Sequence, residues 1–148
     1  MNDVKLSVQS WESFFRAQVT VLRQLQTDPV FKKLSVREYD VLYTLSNCPT
    51  GWVRLNELNK HSLLTQPSIS RLVERLEARG LIQRRVAEDD RRGVEVGLTK
   101  QGLELQKTVG REHARDIHCL FSSSLTEAEM RELIRLSNKL KATAKQRK

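Results

Sequence analysis

The sequence predicts a mainly α-helical protein with one small antiparallel β-hairpin, in the order α-α-β-α-α-β-β-α-α. Three observations lead to this fold class. Apolar residues recur at helical spacing in several segments, two segments begin with a capping box, and two short runs alternate apolar and polar residues around a glycine. The 148 residues suffice for one domain with additional helices.

The N-terminal part of the sequence predicts two helices. The first covers residues 7–27 and carries on one face Trp11, Phe14, Phe15, Leu22 and Leu25. Asp28-Pro29 ends it, because the residue before a proline avoids the α region. The second helix begins at a capping box of Ser35 and Glu38 and ends at "CPTG". Its inward face is predicted to consist of Tyr39, Leu42 and Tyr43.

The middle of the chain predicts a short strand and two further helices. "WVRL" is extended, and Asn56 is expected to cap the short helix that follows. For the next helix Thr65 is a capping residue, and Pro67 is tolerated in the first turn, where its missing N–H has no helical partner. Gly80 takes the usual role of glycine at the C-terminal end of this helix.

A β-hairpin and two long helices complete the predicted order. The runs "IQRRV" and "VEVGL" alternate apolar and polar residues, and "AEDDRRG" between them supplies the turn. A helix then extends from Thr99 to about Phe121. A second capping box, Thr126 with Glu129, opens the last helix. The residues of this helix that we expect to point inward are Met130, Leu133, Ile134 and Leu140.

Composition limits the classes of function. The net charge is +8 and the pI is about 9.9, which favours a polyanion such as nucleic acid as partner. No apolar run approaches the length of a membrane span, and the N-terminus lacks the apolar region of a signal peptide. Two distant cysteines, Cys48 and Cys119, do not make a disulfide framework, so we expect a reducing cytoplasm and no membrane partner.

An enzyme is not expected. The sequence contains no Ser-His-Asp arrangement, phosphate-binding loop, paired-carboxylate motif or strong metal-ligand spacing. His113, His118 and Cys119 suggest a metal at first sight. However, five residues separate the two histidines, which places them about 140° apart around an ideal helix. We therefore predict no metal site, no cofactor and no catalytic residue.

Two short helices followed by a hairpin is the order of a winged helix-turn-helix. Residues 36–98 would form this lobe, and residues 1–35 and 99–148 a helical region outside it. In the second of the paired helices, the apolar Ile69, Leu72, Val73 and Leu76 share one face. The opposite face is small and hydroxyl-rich, with arginines, which suits entry into the major groove of DNA. The alternative is a plain amphipathic helix with a solvated face.

The predicted DNA-binding residues lie on that helix and at the tip of the hairpin, the wing. On the helix they are Thr65, Gln66, Pro67, Ser68, Ser70, Arg71 and Arg75. At the tip, Arg91 and Arg92 would approach the phosphate backbone or the minor groove. Asp89 and Asp90 repel phosphates, so their expected role is to hold arginines in place by charge-assisted hydrogen bonds. The alternative for the tip is a charged turn that blocks pairing of the sheet edge.

At these residues the chain resembles the MarR family of transcriptional regulators. "SRLVERLEARGLIQR", residues 70–84, is similar to that family's recognition helix and first wing strand. Asp90-x-Arg92 followed by Val96-x-Leu98-Thr99 matches its wing pattern. The resemblance implies a homodimer with interlocked terminal helices, an Arg92 that enters the minor groove and an Asp90 that structures the wing. Asn59 departs from it, because the family commonly has alanine there.

The resemblance also implies a function and its regulation. We expect a dimeric, sequence-specific regulator, a repressor, that binds a pseudo-palindromic operator in double-stranded DNA and is released by a small aromatic or amphipathic effector. Aromatic residues that would line an effector pocket between the dimer helices and the DNA lobe are Trp11, Phe15, Tyr39, Tyr43 and Trp52. The simpler interpretation is that these aromatic residues belong to the core.

Two other functions remain open at this stage. One is a winged-helix module that binds protein, which the arginine-rich tip argues against. The other is a redox-responsive DNA-binding regulator that acts through Cys48. Cys48 precedes Pro49 in a loop and is expected to be the more exposed cysteine, whereas Cys119 lies among Ile117, Leu120 and Phe121 and is expected to be packed.

Overall fold

A computed structural model of the chain describes residues 3–62, 68–89 and 93–147. Contacts divide it into two compact units, Met1–His113 and Ala114–Lys148. The described elements confirm the predicted fold class, since helices dominate and three strands form one small antiparallel sheet. None of the helices in these ranges combines the length and the apolarity that crossing a membrane requires.

Capping explains where the first helices begin. Helix α1 covers Val4–Leu25, and a 3₁₀ helix follows at Pro29–Lys32, where the side chain of Asp28 accepts a hydrogen bond from Val30 N. Helix α2 covers Val36–Ser46. Its capping box is confirmed, because Ser35 Oγ accepts from Glu38 N and Glu38 Oε1 accepts from Ser35 N.

The central elements differ from prediction at the start of the short helix after the first strand. Strand β1 covers Trp52–Arg54, and helix α3 covers only Leu58–His61 after a 3₁₀ turn at Leu55–Glu57. Asn56 lies inside this 3₁₀ turn and caps no helix, so its prediction as a helix cap was wrong. The turn directly follows β1 and occupies the positions at which the predicted helix would begin. Helix α4 covers Ile69–Ala78 with Ser68 as N-cap. Thr65 and Pro67, predicted for its start, lie outside the described residues.

The sheet has the order β1-β3-β2, with β2 at Ile82–Val86 and β3 at Val94–Leu98. The β2–β3 pairing runs from Ile82 opposite Leu98 to Val86 opposite Val94, which confirms the predicted hairpin. Strand β1 adds to its other side, with Arg54 opposite Glu95 and Trp52 opposite Gly97. One face of the sheet buries Val53, Ile82 and Val96, and the other carries Arg54, Arg85 and Glu95.

The core of the first unit lies between the helices of the lobe and the apolar face of the sheet. Its fully buried members come from α2, α3, α4, β2, β3 and their neighbours, and are Leu34, Val41, Leu42, Leu45, Leu58, Val73, Leu76, Leu81, Ile82, Val96 and Val109. The inward face of α2 was predicted wrongly in part. Tyr43 is 42% exposed, because Val41 and Leu45 take the inward positions beside Leu42.

Helix α5 covers Lys100–Ser124, and close contact with the turn after α4 fixes its start. Thr99 Oγ1 donates to Gly80 O over 2.6 Å and accepts from Gly102 N over 3.0 Å. Gly80 has φ +74°, a conformation that glycine adopts without strain. A Cβ on Gly102 would lie only 2.0 Å from Leu81 O, so the helix can approach this turn only through a glycine.

Helix α6 covers Glu127–Gln146 and begins at the predicted capping box of Thr126 and Glu129. Its apolar residues were expected to point inward, but Leu133, Ile134 and Leu140 are 39%, 61% and 59% exposed in the single chain. The helix is amphipathic, and its apolar face is exposed in the single chain. The same holds in α1 for Trp11 at 60% and Phe15 at 48%.

Candidate nucleic-acid interface

The outer face of α4 presents side chains that no described residue pairs with. Ser68, Ser70, Arg71 and Arg75 are exposed, while Leu72, Val73 and Leu76 bury the opposite face in the core. Neither Arg71 nor Arg75 forms an ion pair within residues 3–62, 68–89 and 93–147. The two guanidinium groups are thus available to an external anion. This face matches the one that the sequence predicts for DNA binding.

Side chains at the C-terminal end of α4 hold the helix in place. Arg79 Nη2 donates to Lys33 O over 2.7 Å, and Arg79 Nη1 donates to Glu38 Oε2 over 3.3 Å. Arg84 Nε in β2 lies 3.1 Å from Glu77 Oε2. These contacts join α4 to the start of α2 and to the hairpin. Sequence reasoning missed the two contacts of Arg79, because partners 41 and 46 residues away leave no local pattern.

Several predicted contact residues lie outside the described ranges. They are Thr65, Gln66 and Pro67 before α4, and Asp90, Arg91 and Arg92 at the tip of the hairpin. The residues on both sides of the tip are described. Ala87 N donates to Gly93 O over 2.9 Å and closes the base of the turn. This hydrogen bond lies directly after β2 and directly before β3.

Asp89 holds an arginine, as predicted, but one that the sequence analysis did not single out. Arg54 Nη2, at the end of β1, donates to Asp89 Oδ1 over 2.6 Å. The Arg54 side chain is 31% exposed and that of Asp89 is 79% exposed. The pair connects the edge strand to the wing. The alternation of "WVRL" could have placed Arg54 on the outer face of β1, but nothing in it indicates Asp89 as partner.

The outer face of the sheet carries one connected set of side chains. Arg85 Nη2 donates to Glu95 Oε2 over 3.2 Å, and the Arg85 guanidinium lies 4.0 Å from the centroid of the Trp52 ring. Trp52 is opposite Gly97 in the ladder, and a Cβ on Gly97 would lie 3.0 Å from the indole. The missing side chain lets the indole lie over β3 and reach Arg85, in a cation–π contact.

The five residues predicted for an effector pocket fall into three groups. Trp11 and Phe15 contact each other on α1, with ring centroids 5.4 Å apart. Tyr39 and Tyr43 stack at 5.9 Å on α2. Trp52 lies on the outer face of the sheet, so the described chain alone does not bring all five side chains into one cavity.

Two cavities nevertheless lie next to members of these groups. One, of about 410 Å³, is lined by Trp52 together with charged residues of β1 and the hairpin. The other, of about 310 Å³, is lined by Tyr43 and by apolar and small polar residues at the end of α2. Cys48, Val53 and His61 border both. Sequence reasoning did not indicate either space.

The hydroxyl of Tyr39 lies in a crowded part of the first unit. Burial raises the pKa of Tyr39, and a hydrogen bond with Gln106 opposes part of that rise. The ring also meets Phe31 and His113 edge-on, at centroid distances of 6.2 and 5.6 Å. Tyr39 therefore packs largely as a core residue, as the simpler interpretation of the aromatic pattern predicted.

The predicted exposure of the two cysteines was wrong. Cys48 is half-buried, because its Sγ lies 3.4 Å from Thr50 Oγ1 and donates to Trp52 O, whereas Cys119 is exposed in the single chain. The hydrogen bond with the Thr50 hydroxyl is the main cause that lowers the pKa of Cys48. In the described ranges no group of three or more His, Cys, Asp or Glu side chains is placed to hold a metal ion.

Comparison with known proteins agrees with this geometry. A MarR-family model matches residues 32–93. The regulator PecS of Dickeya dadantii (strain 3937), described as an HTH-type transcriptional regulator, is 32% identical over 112 residues, which cover 72% of this chain and 68% of PecS.

Solved structures share the fold over almost the whole chain. Sco3205 of Streptomyces coelicolor, a MarR family transcriptional regulator solved in complex with DNA, has a TM-score of 0.76 at 22% identity and covers 95% of this chain and 88% of its own. PcaV of Streptomyces coelicolor, a transcriptional regulator solved with its natural ligand, has a TM-score of 0.74 at 23% identity, with coverages of 97% and 99%.

The chain belongs to the MarR family of winged-helix regulators. It is therefore a DNA-binding protein of transcription regulation and not an enzyme.

Proposed function

We propose that this protein is a homodimeric repressor that binds a pseudo-palindromic operator through α4 and the wing, and that a small-molecule effector releases it. The observation that carries the proposal is the outer face of α4. Arg71 and Arg75 are exposed there without an ion pair to another described residue, beside the small Ser68 and Ser70. Guanidinium groups on a helix of this kind can reach phosphates and guanine edges in the major groove.

The remaining DNA contacts are proposed from the sequence. Thr65, Gln66 and Pro67 would extend the contact surface ahead of α4, and Arg91 and Arg92 would contact the backbone or the minor groove from the wing. Asp90 would keep the wing in shape. The backbone hydrogen bond from Ala87 N to Gly93 O supports this role, since it holds together the two described ends of the segment that carries these residues.

Homodimer formation is supported by the apolar faces of the terminal helices. Trp11, Phe14 and Phe15 on α1, and Ile134 and Leu140 on α6, are each more than 40% exposed in the single chain. Large exposed apolar faces mark surfaces that another molecule covers. A second copy of this chain supplies such a surface and gives the twofold symmetry that an inverted repeat requires. We retain the boundaries 1–35 with 99–148 for the dimerisation region and 36–98 for the DNA-binding lobe.

The effector is proposed to be a small aromatic or amphipathic molecule. PcaV, which shares the fold, was solved with a natural ligand. In this chain the cavity beside Tyr43 at the end of α2 has room for a small molecule, at about 310 Å³. In the dimer, Trp11, Phe15, Tyr39, Tyr43 and Trp52 would line such a site together. The cytoplasmic location stays part of this proposal, because a regulator of transcription must reach DNA.

Selection from a random duplex library tests the function. The full chain is incubated with the library at fixed salt, and bound duplexes are amplified and sequenced. We expect enrichment of one inverted repeat with half-site centres about 10 bp apart. Enrichment of a single asymmetric site would contradict the dimeric operator. No enrichment at low salt would favour the competing function, a winged-helix module that binds protein.

A further inference from the structure

The tip of the wing is connected to the edge strand of the sheet. Arg54 Nη2 donates to Asp89 Oδ1 over 2.6 Å, between residues 35 positions apart in sequence. Arg54 is the last residue of β1 and lies opposite Glu95. Its side chain therefore extends past the end of the β1–β3 ladder, toward the turn that joins β2 to β3.

Glu95 is already engaged by another arginine. Arg85 Nη2 donates to Glu95 Oε2 over 3.2 Å, and the Arg85 guanidinium also lies 4.0 Å from the centroid of the Trp52 ring. Arg54 thus reaches beyond its cross-strand neighbour to Asp89. Two arginines on the outer face of the sheet therefore form different connections. Arg85 joins β2 to β3, and Arg54 joins β1 to the segment between β2 and β3.

The Arg54–Asp89 contact holds one residue of the segment between β2 and β3. Ala87 and Gly93 are joined by a backbone hydrogen bond, and five residues, 88–92, lie between them in sequence. With Asp89 held, three residues separate it from Gly93. A segment whose two ends are held has fewer conformations to lose when it binds than one held at its base alone.

We propose that Arg54 is a positioning residue for DNA binding, which acts through Asp89 to hold the wing in the orientation that contacts DNA. This inference rests on the proposed function. Arg54 does not contact DNA in this mechanism; it holds Asp89, which shortly precedes Arg91 and Arg92 in sequence. The acid at the tip is then useful despite its repulsion of phosphates, because it provides the point at which β1 holds the wing.

Two single variants separate positioning from net charge. Asp89→Asn removes a negative charge and Arg54→Gln removes a positive one, so long-range electrostatics alone predicts tighter DNA binding for the first and weaker for the second. Positioning predicts weaker binding for both, by about two- to fivefold, the effect typical of an exposed ion pair. Affinity is measured on the selected operator by titration at several salt concentrations.

Three further readouts identify the mechanism. The slope of log affinity against log salt stays that of the wild type in Arg54→Gln, whereas a lost phosphate contact lowers it by about one unit. The charge reversal Arg54→Asp with Asp89→Arg restores affinity to within about twofold of the wild type. In an Arg91→Ala, Arg92→Ala background, Arg54→Gln causes no further loss, since the wing contacts that it positions are gone.

The matched control is Arg131→Gln on α6, which changes the net charge by the same amount as Arg54→Gln. Within the described ranges, Arg131 pairs only with Glu127. This variant leaves affinity unchanged. Unchanged or tighter binding by Asp89→Asn, a lowered salt slope in Arg54→Gln, or failure of the charge reversal to restore binding would each overturn the positioning role. A wild-type chain that selects no operator would instead overturn the proposed function, so the two failures are distinguishable.

Discussion

Arg79, at the C-terminal end of α4, donates from Nη2 to the backbone carbonyl of Lys33, which precedes α2, over 2.7 Å. The same guanidinium reaches Glu38, the acid of the α2 capping box. One side chain thus connects the end of the proposed recognition helix to the start of the helix packed beside it.

Replacement of Arg79 tests this connection. Arg79→Ala leaves Lys33 O without this donor and is expected to lower the free energy of unfolding by about 0.5–1.5 kcal/mol, the net range for an intramolecular hydrogen bond, because the Arg79 side chain is partly exposed. Chemical denaturation followed by circular dichroism measures it. Arg75→Ala, on the exposed face of the same helix, is the control and changes stability by less than about 0.5 kcal/mol. Equal losses in the two variants would contradict the role of Arg79.

Gly102 is predicted to tolerate no side chain. A Cβ there would lie 2.0 Å from the carbonyl oxygen of Leu81, which is backbone and cannot rotate away. Gly102→Ala is therefore expected to destabilise the fold by about 1–3 kcal/mol or more, although alanine favours helix. Gly110→Ala is the comparison, since its Cβ would meet the Tyr39 hydroxyl at 3.1 Å, the end of a side chain. Thermal unfolding should rank Gly102→Ala as clearly less stable than Gly110→Ala.

Arg71 is predicted to read a base. Arg71→Ala should weaken binding to the selected operator by about 1–3 kcal/mol and relax the preference at one position of each half-site. Titration on the operator and on its single-base variants provides the measurement, with Arg131→Ala on α6 as the control for net charge. An equal loss on operator and random DNA would identify a phosphate contact instead.

Arg92 in the wing is predicted to recognise the width of the minor groove. Narrow A·T-rich grooves have a deeper negative potential, so Arg92→Ala should cost about 1–3 kcal/mol and lose most on operators with A·T-rich flanks. Asp90→Ala should also weaken binding, because a wing that is less ordered must be ordered on binding. Both are titrated on A·T- and G·C-flanked operators at fixed salt. Tighter DNA binding by Asp90→Ala would contradict these roles, and so would a loss of affinity in Arg92→Ala that is equal on A·T- and G·C-flanked operators.

The apolar face of α1 is predicted to hold the dimer together. Phe15→Asp places a charge among apolar residues that the single chain leaves exposed, and should shift sedimentation equilibrium toward monomer. Ser13→Asp is the matched control, because Ser13 lies about 160° away around the helix and outside the apolar face. A Phe15→Asp protein that remains dimeric at micromolar concentration would show that another surface mediates assembly.

Signals within a few residues predicted most of the elements. The capping boxes at Ser35 and Thr126 and the alternation around Gly93 act over three or four positions, so the sequence shows them directly. Contacts between distant segments were not predictable in this way. Arg79 with Lys33 and Arg54 with Asp89 depend on the arrangement of elements in space, and single glycines such as Gly102 are required only once two elements meet.

Periodicity predicted which residues share a face but not what covers that face. Leu133 and Trp11 lie on the apolar faces that the pattern indicates, yet both are exposed in the single chain. The two cysteines also show that neighbours in sequence do not determine exposure. Cys119 has apolar neighbours in sequence and is exposed, whereas Cys48 follows a helix end and is half-buried by Thr50 and Trp52.

The position of Trp52 over Gly97 has a spectroscopic consequence. The chain contains two tryptophans, and the emission of an indole depends on nearby charge and on access of water. Trp52 lies against the Arg85 guanidinium on the sheet that carries the wing, whereas Trp11 lies on the exposed face of α1. With one indole replaced by phenylalanine, the fluorescence of the other would follow a single event without an added label: engagement of DNA at Trp52, and association of two chains at Trp11.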